Sequence, residues 1–323
     1  MRTLLTGAKG QLARCLRDRL PEDWELIATD STSLDITDTE AVHHMIKNFQ
    51  PDAIVNAAAY TAVDKAEENA EAAFAVNATA VHNLAAAARA AHARFIHIST
   101  DYVFDGEGKR PYRETDYTNP RSTYGQSKVA GELLALAAHP ESTIVRTSWL
   151  FSEYGSNFVK TMLRLAKERD SLSIVHDQTG CPTYAGDLAH AIISLLQQPT
   201  SPRGIFHYCG NKSATWYEFT KAIFQTAHQL DDSFRIPESP PINTPCPLRV
   251  RHTALWIAHA SRPNLVSNRP TGKKPCAKFS AKSTDKLIHL YQGRLKTYFQ
   301  TASLFLLYQM LYLSSLSFEK CYN

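Results

Sequence analysis

Thr6-Gly7-Ala8-Lys9-Gly10-Gln11-Leu12-Ala13 is the stretch whose reading decides the fold. It follows a short apolar run, Thr3–Thr6, and opens an apolar-periodic segment, Gln11–Leu20, so it reads as strand, glycine turn and helix start. Gly7 permits the tight turn. Gly10 lets the backbone approach a pyrophosphate, which would rest beside Gln11 and Leu12 on the free amides of the helix N-terminus. Ala13 is small enough for close packing of helix on strand. The spacing Gly-x-x-Gly-x-x-Ala departs from Gly-x-Gly-x-x-Gly, and a plain glycine turn is the alternative reading. Its place at the first strand–helix junction favours a dinucleotide phosphate.

Outward from this turn, short apolar runs alternate with alanine-rich helical stretches. Glu25–Thr29, Ala53–Asn56, Arg94–Ile98 and Thr143–Thr147 read as further strands, and Thr39–Phe49, Ala70–Ala91 and Thr123–Ala138 as helices. Alternation at this spacing predicts an α/β fold, a doubly wound parallel sheet, over residues 1–150. Residues 151–243 read as a second, smaller lobe, with helices over Asn157–Arg169, Ala185–Gln197 and Thr215–His228 and a short strand at Gly204–Tyr208.

Asp30 closes the second strand, where a carboxylate can accept hydrogen bonds from a ribose; a turn aspartate is the competing reading. Ala57, Ala58, Ala59 and Tyr60 follow the third strand, and small residues there let a ribose or pyrophosphate lie against the backbone, or simply pack under a helix. The sharpest chemical signal is Tyr124-Gly125-Gln126-Ser127-Lys128 at a helix start. Tyrosine and lysine at i, i+4 share a face. An ammonium beside a phenol lowers the phenol's pKa and makes it a usable proton donor or acceptor. Thr100, in Ser99-Thr100-Asp101-Tyr102, ends the fourth strand, where open parallel sheets bind ligands.

These pieces together resemble the extended short-chain dehydrogenase/reductases that act on nucleotide sugars. The resemblance runs over about residues 1–243, through Val55–Glu67, Ser99–Gly106, Arg146–Phe151, Asn157–Met162 and Asp177-Gln178-x-Gly180-x-Pro182-Thr183. It implies a Rossmann-type cofactor domain and reduction, by NADPH or NADH, of the C4 ketone of a nucleotide sugar destined for cell-surface polysaccharide. It implies Tyr124 as proton donor, Lys128 as the residue tuning Tyr124 and holding the nicotinamide ribose, and Thr100 as hydrogen-bond partner of the reacting oxygen. Lys65, Asp101, Tyr102 and Trp149 resemble residues lining the sugar and cofactor pocket, although Lys65 also fits a solvated surface and Trp149 a core aromatic. Some family members place a glutamate in the first helix for a magnesium-bridged dimer; Cys15 stands here instead, so no metal ligand is assigned, while a homodimer stays open. Dehydratases of the family carry Asp-Glu after the threonine, where this chain has Asp101-Tyr102. Two rivals to the reductase are thus a related epimerase or dehydratase, and a regulatory subunit that binds dinucleotide without turnover.

Composition bounds the rest. The 323 residues are 44% hydrophobic and 20% charged, as in a globular protein. No run of eighteen apolar residues marks a membrane span, and the N-terminus passes straight into the glycine motif with no signal-peptide pattern. Six cysteines at irregular spacing suggest neither a metal site nor a disulfide framework, which predicts a reducing cytoplasm. No nucleic-acid or membrane partner is expected for the main body. The net charge of +4 hides a sharp division: residues 244–323 hold twelve Lys or Arg against Asp285 and Glu319, leaving 1–243 at −6. The family's closing order, Arg-Pro, then Ser-x-Leu-Asp, then a tryptophan-bearing helix, is missing from this basic tail. Back-translated at a shifted base, Cys246–Arg251 permits Pro-Ala-Ala-Arg-Pro and Thr253–Ala260 permits Ser-Ala-Leu-Asp-Cys-Ala-Arg-Ile. A change of reading frame near residues 238–246 is therefore expected. The alternative is a true basic tail whose apolar Ala302–Leu316 lies on a membrane.

Overall fold

A computed structural model of the protein describes residues 1–242, apart from 109 and 201. The expectations for the 244–323 tail lie outside the described residues.

Five strands form where the apolar runs fall: β1 (Arg2–Thr6), β2 (Glu25–Thr29), β3 (Ala53–Asn56), β4 (Arg94–Thr100) and β5 (Thr143–Thr147). With the Gly204–His207 strand they make one parallel sheet in the order Gly204–His207, β5, β4, β3, β1, β2. Side chains alternate faces along a strand, and the sequence supplies apolar residues to both. Leu4, Ile54, Phe95 and Ile144 enter a core with the Thr39–Phe49 and Ala80–Ala90 helices. Leu5, Val55, Ile96 and Val145 enter another with α1 (Gln11–Arg17) and the Ala185–Gln197 helix. Burial of each such side chain is worth about 1.5–3 kcal/mol, which is why the sheet is covered on both sides.

The Gly204–His207 strand was expected in the smaller lobe; it is instead the sheet's sixth strand, registered Gly204 to Thr143 and His207 to Arg146. The Ala185–Gln197 helix likewise packs on the main sheet. The chain thus leaves the sheet near residue 150 and re-enters it before 208. The smaller lobe gathers Phe151, Val159, Met162, Ile174, Phe219 and Phe224 around the Phe158–Glu168 and Trp216–Leu230 helices. The second of these begins on a capping box, Thr215 with Glu218.

The expected single helix over Ala70–Ala91 is broken. Ala70–Phe74 and Ala80–Ala90 are α-helical, and Ala75–Thr79 between them is a π-turn. The wide turn brings the buried Asn77 amide inward. Its Oδ1 accepts from the Tyr60 amide at 2.8 Å, and its Nδ2 donates to the Tyr60 carbonyl and to Ser127 Oγ, each at 3.0 Å. Such π-bulges inside helices accompany functional loops. Among the described residues no helix is long and apolar enough to cross a membrane.

A buried ion pair ties the Thr123–Ala138 helix to β5. Arg146 donates from Nε and Nη2 to the two carboxylate oxygens of Glu132 at 2.8 and 2.6 Å, with both side chains 2% exposed. Ser99 Oγ also donates to Glu132 at 2.5 Å. Breaking one partner leaves a buried charge unpaired. Arg146→Met should therefore lower the unfolding free energy by about 3–5 kcal/mol, and adding Glu132→Leu should restore most of it. Urea melts of the parent, the single and the double variant check this.

Candidate active site

The site starts where β1 and β3 end side by side. Gly7 has φ +76°, and a Cβ there would stand 2.7 Å from the Ala58 amide nitrogen and 2.8 Å from the Ala57 carbonyl carbon. Only glycine lets these two exits touch. Gly10, the N-cap of α1, provides no side-chain cap, so the first amides of the helix are left for another acceptor. A cavity of about 500 Å³ runs from this turn, lined by Gly10, Gln11, Leu12, Ala57 and Ala59, across the carboxyl ends of the strands to Thr100, Asp101, Tyr102, Tyr124, Lys128 and Trp149. A doubly wound sheet binds its ligands in this position.

Thr100 is held by its own turn. Its hydroxyl donates to Asp101 Oδ1 at 3.0 Å and accepts from the Tyr102 amide at 3.3 Å. Burial pushes the Asp101 carboxyl up to about 6, against the pull of Thr100. Tyr124 is buried in the first turn of the Thr123–Ala138 helix, which Ser122 caps, and the ring of Tyr102 meets it edge-on at 5.5 Å. Burial drives the Tyr124 phenol up to about 12; the Thr100 hydroxyl draws it down less, and Asp101 adds to the rise. The expectation of a lysine-lowered phenol is corrected here. Lys128 Nζ donates to the Ile98 carbonyl at 2.7 Å and meets His97 Nε2 at 3.3 Å. The same burial lowers the lysine to about 8, with Glu132 opposing. The phenol consequently keeps its proton at neutral pH, the state a proton donor needs.

The remaining expected residues divide. Gly7 and Ala58 form the floor of the turn but do not line the cavity. Tyr60 is clamped through its backbone by Asn77 and packs beside Tyr124 rather than on the cavity wall. Asp30 is the centre of a tight turn, accepting from Thr32 N, Thr32 Oγ1 and Ser33 N, and its other oxygen pairs with Lys9 at 2.7 Å. Lys9 and the turn donors hold its carboxyl well below the usual range. Lys65 is exposed on the Val63–Glu68 helix and away from the cavity wall.

Trp149 answers to both of its readings. Its ring stacks on Trp216 at 3.5 Å in the smaller lobe, while its surface also bounds the cavity. It sits at φ +47°, and Gly180 is the residue that leaves room for the indole. Cys15 is fully buried in α1, its thiol pushed up to about 12 by burial. Magnesium takes oxygen ligands, and this buried thiol does not fit it.

Sequence reasoning passed over Asn56, Asn77 and His97, all fully buried. The available signal was a polar residue inside an apolar strand or helix, since such groups survive burial only with hydrogen-bond partners. Ser148, Gly155 and Ser156 also line the cavity from the crossing between sheet and lobe.

A glycine turn at β1, a threonine ending β4 and a Tyr-x-x-x-Lys helix around one cavity define a short-chain dehydrogenase/reductase of the extended type. A family model described as the RmlD substrate binding domain matches residues 1–256, and the chain belongs to that family. It is 48% identical over 232 residues to a dTDP-4-dehydrorhamnose reductase of Aggregatibacter actinomycetemcomitans, covering 70% of this chain and 79% of that protein. A dTDP-4-dehydrorhamnose reductase of Salmonella typhimurium is 41% identical over 271 residues, 81% of this chain and 87% of the relative. Among solved structures, a dTDP-4-dehydrorhamnose reductase of Bacillus anthracis in complex with NADP superposes with a TM-score of 0.71 at 40% identity, over 75% of this chain and 85% of that one.

Proposed function

We propose that the protein reduces the C4 ketone of dTDP-4-dehydro-L-rhamnose to dTDP-L-rhamnose, using a nicotinamide dinucleotide. The observation that carries this reading is the convergence of Thr100, Tyr124 and Lys128 on the cavity that begins at the Gly7–Leu12 turn. The dinucleotide supplies a hydride when bound. The α1 amides and the Gly7 turn cradle its pyrophosphate, with Ala57 and Ala59 against the ribose side. Thr100 Oγ1 hydrogen-bonds the ketone oxygen, and Tyr124, protonated at neutral pH, gives it a proton as negative charge develops. Lys128 faces the resulting phenolate and the ribose. Asp101, Tyr102 and Trp149 line the sugar, with Asp101 as acceptor for a sugar hydroxyl; Lys65, exposed on the Val63–Glu68 helix, is assigned to the nucleotide by the family resemblance alone.

The smaller lobe, built from residues 150–184 and 208–242, covers the nucleotide end of the sugar. Asp30 tilts the preference toward NADH, because a carboxylate repels a 2′-phosphate, while its pairing with Lys9 softens that repulsion. The proposal includes a cytoplasmic location, supported by the irregular spacing of the six cysteines, and a homodimer, supported by family membership alone. It also includes a frame change near residues 238–246, which rests on the back-translation of the basic tail.

Three measurements test the reading. Tyr124→Phe should lower kcat by about 10²–10⁴ with dinucleotide affinity nearly unchanged; near-normal turnover removes Tyr124 from the role. Asp30→Ala should raise the ratio of kcat/KM for NADPH over NADH, since Lys9 is then released toward a 2′-phosphate; an unchanged ratio means Asp30 does not face the ribose. Restoring the frame near codon 240 should raise Tm and activity together.

A further inference from the structure

The segment that carries the chain from the sheet into the smaller lobe is held by one side chain of the glycine turn. Trp149, Leu150, Gly155 and Ser156 line the cavity from this segment, together with Gln11 and Leu12 from α1. Gln11 Oε1 accepts from Ser152 Oγ at 3.0 Å and from Asn157 Nδ2 at 2.9 Å. Its Nε2 reaches the Leu150 carbonyl at 3.5 Å. Ser152 is fully buried. Gly155 stands at φ +61° against the same side chain, where a Cβ would come within 3.3 Å of Gln11 Cγ.

Donors and acceptors leave this joint one arrangement. Asn157 caps the Phe158–Glu168 helix, its Oδ1 accepting from the Lys160 amide at 3.1 Å. A backbone amide can only donate, so the other atom of the Asn157 carboxamide is its nitrogen. That nitrogen donates to the Ser152 carbonyl at 2.7 Å and to Gln11. Gln11 must therefore present its oxygen there, and its own nitrogen turns to Leu150. Lys160 Nζ holds the loop from another side, donating to the Glu153 and Gly155 carbonyls at 3.1 and 3.0 Å. In a trans peptide the N–H points opposite the C=O, so the Ser156 amide faces away from Lys160.

We propose that Gln11 is a positioning residue for the Leu150–Asn157 segment: through Ser152 and Asn157 its side chain holds Gly155 and Ser156 beside the glycine turn, so that one dinucleotide is bound by both. This rests on the dinucleotide reading proposed above. The backbone of Gln11 belongs to the turn, while its side chain is taken up by the protein. A segment ordered before the ligand arrives has less freedom left to lose on binding, which favours tight association. The same joint sets the start of the Phe158–Glu168 helix. Phe158 meets the Trp216 ring at 4.4 Å, and Trp216 stacks on the Trp149 that bounds the cavity.

Two variants of the full chain separate this contact from the fold. Gln11→Met keeps the length of the side chain and removes its acceptor. Asn157→Ser keeps a good helix cap and removes the donor to Gln11. NADH binding, followed by its fluorescence, should weaken roughly two- to tenfold in each variant, as for one net hydrogen bond. The double variant should lose much less than the product of the two single losses, because both changes break one contact; the full product overturns the proposal. In turnover the loss should fall on KM for the dinucleotide more than on kcat, since Thr100, Tyr124 and Lys128 are untouched. A further readout needs no ligand. Chymotryptic cleavage after Tyr154, followed by mass spectrometry, should be faster in both variants than in the parent, and an unchanged rate also overturns the proposal. A parent chain that binds no NADH counts against the dinucleotide reading alone, and the cleavage rate then decides whether Gln11 holds the segment.

Discussion

The hydrogen bonds of the Asn56 amide are the constraint on which the site depends. One oxygen accepts from Thr6 on β1 and from Ala58 on its own loop, while the nitrogen reaches His97 on β4. A single side chain therefore sets the relative position of the three central strand ends. Gly7 can then touch Ala57 and Ala58, and the cavity opens directly above them. In a doubly wound sheet the ligand lies at strand ends, so fixing those ends fixes the site.

The second anchor is the Glu132–Arg146 pair. A buried ion pair is weak evidence for stability, since its desolvation cost rivals its attraction. Its geometric consequence is clearer. It sets the rotation of the Thr123–Ala138 helix against β5, and that rotation directs both Tyr124 and Lys128 into the cavity. Asn77 supports the opposite side of the same helix through Ser127 while clamping Tyr60. The helix is thus held at two levels, each by a polar group with all its partners inside the protein.

Electrostatics in the site follow from burial more than from pairing. Tyr124 and Asp101 are pushed up and Lys128 is pushed down, each with burial as the largest cause. All three shifts favour the neutral form, as expected where water is excluded. A buried phenol that keeps its proton at neutral pH suits a reduction in which an alkoxide forms and is quenched. Trp149 connects this environment to the smaller lobe, since one ring both stacks on Trp216 and bounds the cavity.

Local sequence determined the strands, the first turn and the Tyr124/Lys128 face, because these depend on period, glycine and i, i+4 spacing within a few residues. Alternating apolar residues at Leu4/Leu5, Ile54/Val55 and Phe95/Ile96 were enough to demand a sheet covered on both faces. Tertiary structure alone decided which sheet edge received Gly204–His207, because an edge strand's partner lies about sixty residues away in sequence at Thr143–Arg146. It also decided the π-turn at Ala75–Thr79, where the gain is Asn77's contact with Tyr60 and Ser127 rather than any local preference. The same holds for Lys128. Spacing placed it beside Tyr124, but the carbonyl of Ile98 and the ring of His97, both on another element, captured its amine. A buried polar group goes to whichever partner the packed interior offers, and only the assembled fold defines that interior.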